Sequence, residues 1–168
     1  MTVTPSSATV AEPEVAAGRL TGLDVLAVTG DDSPRGQVSL ALWEPPFTAH
    51  TGENGAPVRR AASSETADLL ADLVLAQVRT LAFVRSRRGV EHVALTTAEL
   101  LAEVDPSLPD RVAAYRGGYL PEERRAIEAA LRRGDLLGLA ATNALELGID
   151  VAGLDAVLMA GFPGTRAA

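Results

Sequence analysis

Apolar positions along this chain switch between two spacings, and the switches outline the elements. A short helical stretch is predicted from about Pro13 to Leu20, inside a Pro-, Ser-, Thr- and Ala-rich start. Val25 to Thr29 and Val38 to Trp43 are β-rich runs around the Gly-, Asp- and Pro-bearing segment 30–36, which predicts a hairpin. Glu44 to Arg60, with Pro45-Pro46 and Gly52-Glu53-Asn54-Gly55, reads as a surface loop without helix or strand. A more regular pattern follows. Leu69, Leu70, Leu73 and Val74 at helical spacing, behind Ser63 or Ser64 as N-cap, predict a helix over 64–78. Thr80 to Val84 predicts a strand, Arg88 to Val104 a helix stopped by Asp105-Pro106, and Arg111 to Tyr115 a strand. Pro121 at a first helical position, Glu122 and Glu123 behind it, Arg132 and Arg133 in the last turn and Gly134 beyond mark both ends of a further helix. Leu136 to Ala141 and Leu154 to Ala160 lack alternation, as strands covered on both faces do. Alternating strands and helices predict an α/β fold with a parallel sheet and helices on both faces.

Composition narrows the chemistry. The 168 residues include no cysteine and only His50 and His92, so a disulfide framework and a Cys/His zinc site are excluded, and no metal site is assigned. All 15 basic residues are arginine. Without lysine this sequence holds neither a phosphate-loop lysine nor a Schiff-base lysine. There is no long apolar run and no signal-peptide pattern, which predicts a cytoplasmic chain that does not engage membranes. The net charge of −7 is uneven: ten arginines against eight acids make residues 79–133 +2, and five arginines against fourteen acids make the remainder −9. A backbone-binding face is therefore permitted, although a solvated mixed surface has the same arithmetic.

In an open parallel sheet the functional loops follow the carboxyl ends of the strands. Here those loops are Arg85-Ser86-Arg87-Arg88, Arg116-Gly117-Gly118-Tyr119 and Thr142-Asn143, rich in the guanidinium, hydroxyl and glycine groups that phosphate contacts use. Segment 141–150, Ala-Thr-Asn-Ala-Leu-Glu-Leu-Gly-Ile-Asp, resembles helicase motif V of superfamily 2. Leu81 to Arg88 resembles motif IV, and Tyr119 to Arg125 the helix start between the two. Ser7-Ala8-Thr9 resembles motif III, which closes a first RecA-like domain. Together they resemble the DEAD/DEAH-box DNA helicases, near the bacterial RecQ4-like Hrq group, in which a zinc-binding region often follows the motor.

The resemblance implies a second RecA-like domain over 23–168, ending before motif VI, preceded by a remnant of the first over 1–22. It implies nucleic-acid contacts from Phe83, Ser86, Arg87, Arg88, Gly117, Arg124, Thr142 and Asn143, ATP contacts from Gly148 and Asp150, and coupling through Ser7 and Thr9. Its partners would be DNA and the missing first RecA-like domain. ATP and Mg2+ would serve the complete motor and none would bind this chain alone, because the phosphate loop, the acidic Asp-Glu pair and the arginine-finger segment are not in this sequence. No catalytic residue is assigned: His92 has no titrating partner in view, and Glu122 and Glu123 suit a helix N-terminus. Trp43 reads as a packing residue. Two further readings are a stand-alone, non-catalytic module that binds nucleic acid or protein, and an unrelated α/β enzyme. The latter lacks the Gly-x-Gly-x-x-Gly turn it would need.

Overall fold

A computed structural model describes residues 10–30, 36–142 and 153–161. The chain divides into two compact units, one up to Leu42 and the other from Trp43 onward. The first holds α1 (Pro13–Thr21), which has proline at its start, Gly22 in the left-handed region at its end, and no buried residue. The expected hairpin is not there: residues 23–30 and 36–42 form no strand. Val38, Leu40 and Leu42 are each about nine-tenths exposed, so their β-propensity meets no partner strand to pack on.

A hairpin does occur in the second unit, in the segment expected to be only loop. β1 (Phe47–Thr51) pairs antiparallel with β2 (Pro57–Arg59). Gly52-Glu53-Asn54-Gly55 is its turn, with Asn54 at φ 57° and Gly55 at φ 74°. Pro57 is tolerated because a two-stranded ribbon is all edge. The hairpin is tied to α2 (Ala62–Leu75) by polar contacts. Arg60 lies 2.6 Å from Asp68 and 3.0 Å from Glu65, and the Trp43 indole N–H donates to Glu65 at 2.9 Å. The packing role expected of Trp43 is not seen: the residue is 61% exposed and is held by this bond at its polar edge. The N-cap is Ala61 rather than Ser63 or Ser64, and no side chain caps this helix.

From α2 onward the βα pattern holds. β3 (Thr80–Val84), α3 (Arg87–Val104), β4 (Val112–Tyr115), α4 (Pro121–Arg133), β5 (Gly138–Ala141) and β6 (Ala156–Ala160) build a parallel sheet in the order β4-β5-β3-β6. Its two faces carry separate cores. On one, Ala82, Val84 and Ala140 meet α2 and α3 through Ala67, Leu70, Ala71, Val74, Val90, Val93 and Leu101. Val90, Val93, Thr97 and Leu101 form one helical stripe, and the buried Thr97 hydroxyl is satisfied by donating to the Ala67 carbonyl at 3.1 Å. On the other face Leu81, Leu139 and Ala141 pack with Tyr115 and with Leu131 of α4. β6 corrects the expectation of a strand covered twice. Among the described strands it lies at the edge of the sheet, and Val157 and Met159 are each more than half exposed. Among the described residues no helix is long and apolar enough to cross a membrane.

Candidate nucleic-acid interface

Parallel pairing brings the predicted loops to one rim. Phe83 and Tyr115 both register against Ala141, so β3, β4 and β5 end level, and the Thr142 N–H donates to the Tyr115 carbonyl at 3.2 Å. α3 and α4 start from this rim, and both direct the positive ends of their dipoles toward it. The start of α3 is set by Ser86, whose hydroxyl oxygen accepts from the Gly89 N–H at 2.9 Å. Gly89 is required there: a Cβ would come within 2.8 Å of Val84 and 3.0 Å of the Ser86 hydroxyl. As the cap bond uses only an acceptor site, the Ser86 O–H remains a donor.

Arg87 and Arg88 follow on the first turn, exposed and without an ion pair among the described residues. The Arg87 guanidinium lies over the Gly117-Gly118 turn, where a Cβ on Gly117 would meet its Nη2 at 3.4 Å. Gly118, at φ 103°, is in a conformation that side chains disfavour. Arg124 is exposed on the first turn of α4, beside the Tyr115 hydroxyl, which donates to Glu128 at 2.9 Å. Burial, then Glu128, raises the Tyr115 pKa, so this phenol stays neutral. Glu123 accepts from the Leu120 N–H at 2.8 Å, the helix-start role expected of it.

Phe83 is half-buried and packs with Leu81 and Leu139, which makes it a support beneath the rim as much as a surface. Thr142 is half-buried at the end of β5. Asn143, Gly148, Asp150, Ser7 and Thr9 lie outside the described residues.

The uneven charge resolves into two ends of the sheet. Arg79 and Arg111, at the amino ends of β3 and β4, point into the protein. Arg79 donates to the Leu131 carbonyl, while Arg111 donates to the Gly134 and Asp135 carbonyls at 2.9 and 2.6 Å. Arg133 pairs with Asp135 at 2.7 Å. Only Arg85, Arg87, Arg88, Arg116, Arg124 and Arg125 belong to the rim end, so the charge count along the sequence overstated the positive charge gathered there.

One cluster escaped the sequence reading. Glu91, one turn along α3 from Arg87, accepts from Arg116 Nε at 2.6 Å and from the Tyr119 hydroxyl at 2.9 Å. Arg116 also stacks over the Tyr119 ring, 4.7 Å from its centre. The Arg116 hydrogen bond is the main reason the Glu91 pKa lies below the ordinary glutamate value. Helical spacing from Arg87 could have flagged Glu91, but nothing local links it to residues 116 and 119.

The model of the helicase conserved C-terminal domain matches residues 65–168. The uncharacterized ATP-dependent helicase YprA of Bacillus subtilis is 38% identical over 162 residues, 96% of this chain and 21% of that protein. The ATP-dependent helicase hrq1 of Schizosaccharomyces pombe is 36% identical over 161 residues, 94% of this chain and 15% of that protein. A crystal structure of the DUF1998 helicase MrfA bound to DNA and AMPPNP superposes with a TM-score of 0.85 at 37% identity, covering 96% of this chain and 21% of that one. The chain thus spans about a fifth or less of these relatives, and its parallel sheet is the RecA-like fold of helicase C-terminal domains.

Proposed function

We propose, for a chain that belongs to the helicase conserved C-terminal domain family, that its rim grips the nucleic-acid backbone as the second RecA-like domain of an ATP-dependent DNA helicase. The observation that carries this reading is the convergence of exposed Arg87 and Arg88, the Ser86 hydroxyl, the Gly117-Gly118 turn and Arg124 beside two helix N-termini. All of these offer N–H or O–H donors of the kind that bond phosphate oxygens. Such a surface binds phosphate oxygens without regard to sequence, as a motor stepping along a strand requires. Thr142 and Asn143 would extend the same grip, with Phe83 supporting it from below.

Gly148 and Asp150 would meet ATP, with its Mg2+, across a cleft shared with the first RecA-like domain, and Ser7 and Thr9 would couple the two domains. In this reading residues 1–22 close that first domain, residues 23–168 form the second, and the protein works in the cytoplasm. The chain alone turns over no ATP, because it has no lysine to hold the β- and γ-phosphates. Binding of the purified chain to a fluorescent single DNA strand, followed across a salt series, tests the proposal. Weak, salt-sensitive binding that an Arg87→Ala, Arg88→Ala, Arg124→Ala triple variant loses is the expected result. No binding even at low salt would refute the grip, and ATP turnover by the chain alone would refute its catalytic dependence on a partner domain.

A further inference from the structure

Arg116 has no role in the grip as described above, yet it is the most firmly held cation on the rim. Its Nε donates to Glu91 Oε1 at 2.6 Å, its Nη1 to the Gly117 carbonyl at 3.3 Å, and its plane rests on the Tyr119 ring. The Tyr119 hydroxyl donates to the same Glu91 oxygen at 2.9 Å, which closes a three-residue ring of contacts between α3 and the loop before α4. These contacts engage Nε and Nη1, on opposite sides of the guanidinium. Nη2 donates to nothing among the described residues, and the Arg116 side chain is 29% exposed.

The side of the Arg116 guanidinium toward Gly118 also lies near Arg87. The point where a Cβ on Gly118 would sit lies 3.4 Å from Arg116 Nη1 and 4.0 Å from Arg87 Nη1. Two guanidinium groups therefore come close to the same glycine turn, and among the described residues only Glu91 forms an ion pair with either of them, with Glu123 adding a more distant negative charge near Arg116. A phosphate group carries several acceptor oxygens and suits planar fork donors approaching from two sides.

We propose that Arg116 is a further strand-contact residue: held by Glu91 and Tyr119, it binds one phosphodiester of a nucleic-acid strand jointly with Arg87 across the Gly117-Gly118 turn. Glu91 and Tyr119 are positioning residues. They fix the arginine before the strand arrives, so less side-chain freedom is lost on binding. This inference rests on the backbone-gripping reading of the rim.

The test measures binding of the full 168-residue chain and its variants to fluorescent oligothymidylate across a salt series, with thermal melts confirming that each variant is folded. Arg116→Ala should lower affinity at low salt about tenfold and reduce the salt slope by about 0.7, the share of one phosphate on a single strand. Arg116→Lys keeps the charge but replaces a planar fork with a single nitrogen that cannot stack on Tyr119 in the same way, so it should retain the slope and bind several-fold more weakly. Glu91→Ala removes a negative charge from a polyanion-binding rim, which by simple electrostatics would tighten binding. The positioning role requires the opposite, with Glu91→Gln recovering part of the loss because its amide oxygen still accepts from Arg116. Unchanged affinity and slope in Arg116→Ala, or tighter binding in Glu91→Ala, overturns the proposal. If the Arg87, Arg88 and Arg124 triple variant loses binding while Arg116→Ala does not, the rim reading stands and this assignment falls. If the parent chain does not bind, both fall.

Discussion

Arginine serves opposite purposes at the two ends of this sheet. At the amino ends of the strands, Arg79 and Arg111 donate to the last carbonyls of α4 and its C-terminal turn, groups that a helix leaves without partners. At the carboxyl ends, Arg87 and Arg88 make no ion pair among the described residues and project beside two helix N-termini. Arg116 stands between these extremes, bonded at Nε and Nη1 and without a bond at Nη2 among the described residues. The polarity of the βα unit creates the contrast. Helix C-termini collect at one end and present acceptors that arginine can satisfy, while N-termini collect at the other and repel cations until an anion arrives.

The largest effect that would sharpen this contrast is on stability. Arg79→Ala removes a charge-assisted bond to the Leu131 carbonyl and should cost about 2–3 kcal/mol in urea unfolding. The salt slope of strand binding should stay as it is. A loss of slope without a loss of stability would place Arg79 functionally with the rim. The rim triple variant, Arg87→Ala, Arg88→Ala, Arg124→Ala, should do the reverse. Its salt slope should fall by about 2, while unfolding stability moves by no more than about 0.5 kcal/mol per site.

A smaller effect is expected for Gly117→Ala. The new methyl would press on the tip of Arg87, a flexible group that can shift, so strand affinity should drop a few-fold with little change in melting temperature. The smallest effect concerns protons. Glu91 has a lowered folded-state pKa, so its contribution to stability is fully present above the ordinary glutamate value and is lost as pH falls through the lower folded value. With this side chain 46% exposed, the effect is best read by difference. The stability gap between parent and Glu91→Gln should be constant at neutral pH and should narrow in acid. A gap that widens in acid would mean that the Arg116 contact does not favour the charged carboxylate.

The elements read best from sequence were those whose signals are local. α4 begins at Pro121 and ends before Gly134 as expected, because proline, early acids, late arginines and a left-handed glycine act within one turn of the helix ends. β3 matches its expected range, and α3 starts within one residue of it. The failures concern partners. Val38 to Leu42 has strand character but no neighbouring strand, whereas Phe47 to Arg59, rich in turn residues, pairs with itself. β6 looked doubly buried because apolar content does not reveal which strand ends at an edge. At the rim, the motif residues named the loops, but Glu91 joined Arg116 only through the fold.

The sequence by itself determined the βα order, the family and the loops able to meet phosphate, since periodicity, caps and motif spacing are written in neighbouring residues. Only the tertiary structure decided which arginines hold the fold and which stand at the rim without an ion pair among the described residues. That division depends on which end of the parallel sheet each one occupies and on the carbonyl or carboxylate it meets there, distances that separation along the chain does not encode.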